Sequence, residues 1–258
     1  MDAVSDRAIR GEGTPDSAWE PWLAQQGIRR IALDELCPPS SRLVVLAPHP
    51  DDEVLACGGL LAMRGAAGLA CLVVAVSDGE ASHGSHDEEA CKRMATRRIQ
   101  ESGAGLRALG LQAPQVVRLG IPDGRVATAV ELIAAKLALR LKPSDVLVVT
   151  WCRDGHPDHE ATAAAARRAS LAAGCRLLQA PVWMWHWAGP ADRRVPWGDM
   201  LAVDLPAPAH QAKQSALQCH QSQLEDRGAG QGPMLLPSIV ARAARTCEYF
   251  FLEQAAHD

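Results

Sequence analysis

The chain has 258 residues, a formal net charge of −4 from 26 basic and 30 acidic side chains, and 48% hydrophobic residues. That is enough apolar material for a full hydrophobic core. The absence of a long basic block, with only one Tyr and two Phe, argues against a nucleic-acid partner, and eight cysteines without a CxxC pair argue against a zinc knuckle or a dithiol redox site.

Residues 1–40 carry Gly11, Gly13, Pro15, Pro21 and Pro38-Pro39, the composition of an N-terminal arm with one short helix near residues 19–26. Trp19 and Trp22 would pack this arm on its own domain or on a second copy, so a homo-oligomer is one expectation. The first residues show neither a basic head nor an apolar run, and no stretch reaches 18 apolar residues without charge. With free thiols, this gives the expectation of a cytoplasmic protein lacking a transmembrane segment.

The apolar run 42–47 reads as a first strand, followed by a helix over 52–64 that stops at Gly65. Residues 69–76 form a second strand, and a polar loop leads to a helix over 87–109 closed by Gly110. Residues 116–119 and 145–149 are further strands around a helix over 126–141, and 161–173 is helical. This alternation predicts an α/β fold: a Rossmann-like, mostly parallel sheet with helices on both faces, in one domain spanning 1–258. Residues 175–258 are less patterned. The alternating Trp183, Trp185 and Trp187 suggest a strand over 181–187, with a strand over 199–205, a helix over 207–224, a loose connection over 226–237, a last helix and a strand over 247–252.

Two polar clusters follow apolar strands. Pro48-His49-Pro50-Asp51-Asp52-Glu53 replaces the glycine-rich turn of a dinucleotide site. Asp154-Gly155-His156-Pro157-Asp158-His159 follows the strand that ends at residue 149. Loops at the carboxyl ends of parallel strands are where open α/β sheets bind ligands. His and Asp ligation suits zinc or another divalent first-row ion, and a catalytic site needs about three protein ligands plus an open position. His49 and Asp52 are three residues apart, as are His156 and His159. Asp51 sits where a carboxylate can take a proton from water, and one of the two later histidines can ligate while the other reaches the substrate. Such a set is suited to hydrolysis of an acyl bond. A structural metal, or loop caps without an ion, is the alternative that one cluster alone would leave open.

Together the two clusters resemble the paired signatures of the LmbE-like, or PIG-L, N-deacetylases, with further echoes in Asp78-Gly79-Glu80, residues 98–101, residues 119–124 and residues 213–223. The resemblance covers about residues 42–225. It implies zinc-dependent amide hydrolysis with His49, Asp52 and His159 as metal ligands and Asp51 as general base. His156 would stabilise the oxyanion and assist the leaving amine, and Asp158 would orient His156. Some members carry a tyrosine two positions before the first histidine of the second signature; here that position is Asp154, and Tyr249 is the sole tyrosine. The expected substrate is an amino sugar or glycoconjugate bearing an N-acetylglucosamine-type group, held by Asp78, Glu80, Arg98 and Asp123. Arg98 has a second reading as a helix contact to Glu101, and His83 and His86 lie near the same loops. Another small N-acyl amide as substrate, or a metal- or carbohydrate-binding protein without catalysis, are the competing readings.

Overall fold

The computed structural model describes residues 7–85, 87–228 and 230–253. In chain order the first half comprises α1 (Asp16–Gln25), β1 (Arg29–Arg30), α2 (Leu33–Leu36), β2 (Leu43–Ala47), α3 (Asp52–Ala66), β3 (Cys71–Ala75), α4 (Glu88–Ala108), β4 (Gln115–Arg118) and α5 (Val130–Ala138). The second half adds β5 (Val146–Thr150), α6 (Pro157–Ala173), β6 (Arg176–Ala180), α7 (Met184–Trp187), β7 (Met200–Asp204), α8 (Ala207–Leu217), α9 (Gln221–Leu224), α10 (Pro237–Ala243) and β8 (Cys247–Glu253). The strands form one eight-stranded sheet in the order β1-β7-β8-β6-β5-β2-β3-β4. β8 is antiparallel to β6 and β7, and the remaining pairs are parallel.

β2 is buried along its whole length because both sheet faces are covered. Leu43 and Val45 enter a core with α3, α4 and α8, while Val44 and Leu46 enter a second core with α5 and α6. Full burial of each such side chain contributes about 1.5–3 kcal/mol. The Rossmann-like reading therefore holds. β2 leads through α3 to β3 on one side, and β5 leads through α6 to β6 on the other. Since β2 and β5 are neighbours, the chain reverses direction of travel between them. Their carboxyl ends open a crevice at this switch point.

Helix α6 begins at Pro157, earlier than the expected 161. Proline suits the first helical position, and His156 caps it by accepting the Asp158 N–H at 3.2 Å. Gly174, with φ of 66°, closes the helix. The early start puts Asp158 and His159 in the first turn.

Three expectations need correction. The segment 181–187 is a turn followed by the short helix α7, because Asp154 accepts the backbone N–H groups of Val182, Trp183 and Met184 at 2.9–3.0 Å. The helix expected over 207–224 ends at Leu217, and α9 is pinned separately by Ser222 bonding to Glu101. The helix expected over 126–141 opens with a 3-10 turn, Val126–Ala129. The arm wraps its own chain. Trp19 is fully buried, lies 5.1 Å edge-on from Trp185, and donates its indole N–H to the Trp185 carbonyl. All eight cysteines are free, and among the described residues no helix is long and apolar enough to cross a membrane.

Candidate active site

The β2 and β5 loops bring His49, Asp51, Asp52, His156 and His159 around one cavity of about 90 Å³. Depressions of about 290 Å³ beside Gly110 and about 670 Å³ beside Trp151 carry no comparable histidine–carboxylate cluster. The candidate ligand atoms of His49, Asp52 and His159 lie within 4.8 Å of one another. Asp52 Oδ2 is central: it lies 3.2 Å from His49 Nδ1, 3.3 Å from His159 Nε2, and accepts the His49 backbone N–H at 3.0 Å.

The outer nitrogens of both histidines are held. His159 Nδ1 is 2.8 Å from Asp154 Oδ2, and His49 Nε2 is 3.3 Å from Asp158 Oδ2 and 3.2 Å from Asp123 Oδ1. A proton on each outer nitrogen leaves the inner lone pair aimed at the shared point, which is the usual support for a ligating imidazole. His159 Nε2 is buried and has no hydrogen-bond partner. Such a group is costly unless a ligand meets it. Burial opposes a charge on His159, but Asp52 and Asp154 outweigh it and push the imidazole up to about 9. Burial likewise opposes the Asp52 carboxylate, yet His159 and His49 hold it below the usual range. This donor set demands positive charge at its centre, and it fits a divalent ion that takes the place of the protons.

Asp51 and His156 flank the candidate ligands. Arg98, only 3% exposed, places Nη2 3.2 Å from Asp51 Oδ2 and donates to the carbonyls of Gly79 and Pro50. Arg97, not Arg98, pairs with Glu101. Glu53 accepts the Asp51 N–H at 3.1 Å and so braces the loop. Burial lowers the His156 pKa to about 3, with His159 and His49 adding to the effect. A neutral His156 whose Nδ1 accepts the Asp158 N–H carries its proton on Nε2. The Asp158 carboxylate itself reaches His49 and the N–H groups of Gly124 and Val126, so His156 is held by the Asp158 backbone.

Of the expected substrate contacts, Arg98 and Asp123 line the cavity and Asp78 and Glu80 do not. Asp78 pairs with Arg118 at 2.6 Å, and Glu80 accepts the Asp123 N–H at 2.9 Å. They brace the loops that present Asp123. His83 bonds to Ser82, and His86 lies outside the described residues. Among the tryptophans, Trp183 lines the cavity, stacked on His156 with ring centroids 6.4 Å apart. Sequence reasoning missed Asp154 as the partner of His159, although its place beside the second signature was a signal. It also missed Leu55, Gln223, Met234 and Leu235 as cavity wall.

A family model described as PIG-L, GlcNAc-PI de-N-acetylase, matches residues 44–170, which run from β2 through α6 and hold both ligand loops. Among solved structures, a zinc-inhibited form of a teicoplanin deacetylase aligns with a TM-score of 0.62 at 18% identity, covering 84% of this chain and 100% of that one. An N,N′-diacetylchitobiose deacetylase from Pyrococcus horikoshii aligns with a TM-score of 0.62 at 18% identity, covering 86% of each chain. A conserved protein of Thermus thermophilus is 27% identical, with a TM-score of 0.55 over 84% of this chain and 98% of that one. No curated protein sequence matches. With both signature loops converging on one histidine–carboxylate centre, the chain belongs to the PIG-L, or LmbE-like, deacetylase family.

Proposed function

We propose that this protein is a zinc-dependent N-deacetylase that removes the acetyl group from a 2-acetamido sugar, free or in a glycoconjugate. The observation that carries the reading is the convergence of His49, Asp52 and His159 on one point, with Asp51 and His156 at the same cavity. His49, Asp52 and His159 would hold the ion. When bound, it would polarise the acyl carbonyl and make water a stronger nucleophile near neutral pH.

The remaining steps belong to the chain. Asp51 takes the proton of the attacking water. Its Oδ2 lies 3.2 Å from Arg98 Nη2, so Oδ1 is the atom assigned to accept the proton. His156 donates from Nε2 to the developing oxyanion, an interaction worth most where water is excluded. Asp51 then returns its proton to the leaving amine. Trp183 offers a stacking face and Asp123 an acceptor for a sugar hydroxyl. The likeness to a teicoplanin deacetylase and an N,N′-diacetylchitobiose deacetylase supports an amino sugar as substrate.

The test is side-by-side kinetics of zinc-loaded protein on N-acetylglucosamine compounds and on an acyclic N-acetyl amine, following acetate and free amine. The sugar should be cleaved with far higher kcat/KM, because a site built to pair hydroxyls discriminates against analogues lacking them. Equal efficiency on both would assign the protein to simple N-acyl amides.

A further inference from the structure

Helix α3 is broken just past the metal ligands. Cys57 has φ of −151° and ψ of 31°, outside the helical region. A regular ladder would join the Gly59 N–H to the Leu55 carbonyl. Both of these groups meet one buried ion pair contributed by distant parts of the chain. Glu248 on β8 accepts the Gly59 N–H at 2.7 Å and the Leu60 N–H at 2.9 Å. Lys213 on α8 donates to the Leu55 carbonyl at 3.3 Å and to Glu248 at 2.6 Å. The two side chains are 2% and 1% exposed. Gly58 makes room for this insertion, since a Cβ there would lie 3.1 Å from Lys213 Cγ.

The charges match the ends they meet. The carboxylate caps the N–H end of the second half-helix, and the ammonium caps the carbonyl end of the first. That first half, residues 52–56, carries Asp52 and presents Leu55 to the cavity. A helical segment this short does not support itself, so its direction depends on what holds its far end. Stability alone does not account for the pair, because desolvating two charges offsets most of their attraction. Neither Lys213 nor Glu248 lines the active-site cavity.

We propose that Lys213 and Glu248 are positioning residues for the metal centre: their ion pair, inserted into the break of α3, fixes the half-helix bearing Asp52 and thereby sets the affinity for the ion. The inference rests on the reading of Asp52 as a ligand.

Zinc affinity by competition with a chromophoric chelator, together with the visible spectrum of the cobalt-loaded protein, tests it. Lys213→Met/Glu248→Leu removes both charges without stranding either one. Zinc should bind it about 10- to 100-fold more weakly, the range seen when outer supports of a metal site are lost, and the cobalt bands should shift. Lys213→Met/Glu248→Gln keeps one acceptor for the helix N–H groups and should recover part of the affinity; it carries the comparison if the first variant fails to fold. Leu137→Ala, in the core on the opposite sheet face, should lower the melting temperature and leave zinc affinity unchanged. Wild-type zinc affinity in folded Lys213→Met proteins, or an equal loss in Leu137→Ala, overturns the proposal. Wild-type zinc affinity in Asp52→Ala would instead overturn the ligand assignment beneath it.

Discussion

At the centre of the sheet, β2 and β5 run side by side and release His49, Asp52 and His159 into one cavity; among the described residues, the β7–β8 end supplies no member of this candidate ligand group. That second region is built from a tryptophan cluster, the antiparallel β8 and the N-terminal arm. Yet it reaches the centre twice. Glu248 leaves β8 to cap the break in α3, and the turn that opens α7 presents Trp183 to the cavity wall. Chemistry is encoded in two contiguous loops, whereas the positioning of that chemistry is encoded in single residues scattered along the chain.

The largest effects are expected at the centre of the sheet. Asp52→Ala and His159→Ala should each weaken zinc binding by more than the roughly 100-fold that outer supports command, measured by elemental analysis and chelator competition. Retention of the ion by either variant would remove that residue from the ligand set. Asp51→Asn should keep zinc and the fold and lower kcat by about 10²- to 10⁴-fold, since an amide cannot accept the proton.

Asp154 lies between the two regions, because it bonds His159 and also the N–H groups that open α7. Asp154→Asn should weaken zinc by about 10- to 100-fold and disturb Trp183 fluorescence in the same protein. Trp183→Ala should raise KM for a sugar substrate by about three- to tenfold, the scale of one aromatic contact of about 0.5–1.5 kcal/mol, and leave zinc stoichiometry intact. Leu137→Ala should cost about 2–5 kcal/mol of stability and change kcat/KM least of all. A large activity loss there would mean that the two faces of the sheet are coupled.

β2, β3 and β5 were legible because they are buried almost throughout and read as continuous apolar runs ending in polar loops, whereas the parallel strands β1 and β6 were not read from the sequence. The candidate ligands were legible for a similar local reason: His49 with Asp52, and His159 with its signature, each follow directly on one strand end. The alternation of Trp183, Trp185 and Trp187 misled, since its period of two is that of a strand; a carboxylate nearly thirty residues upstream, Asp154, instead caps a helical turn there. Asp78 and Glu80 were expected in the cavity because they share its loop, but neighbouring Arg118 and the Asp123 backbone satisfy them first. Glu248 was invisible, because nothing around residue 248 indicates that β8 inserts antiparallel between β6 and β7.

In the proposed reaction, one ion held by the β2 and β5 loops would serve acyl hydrolysis with Asp51 as base. Its most direct measurement is acetate release from an N-acetylglucosamine compound by wild-type protein and by Asp51→Asn, each stripped by chelator and reloaded with zinc. The wild type should release equimolar acetate and free amine, lost on chelation and restored by zinc, and Asp51→Asn should reload to the same stoichiometry but remain nearly inactive. Acetate release that survives chelation, or an Asp51→Asn protein as active as the wild type, would contradict this reaction assignment.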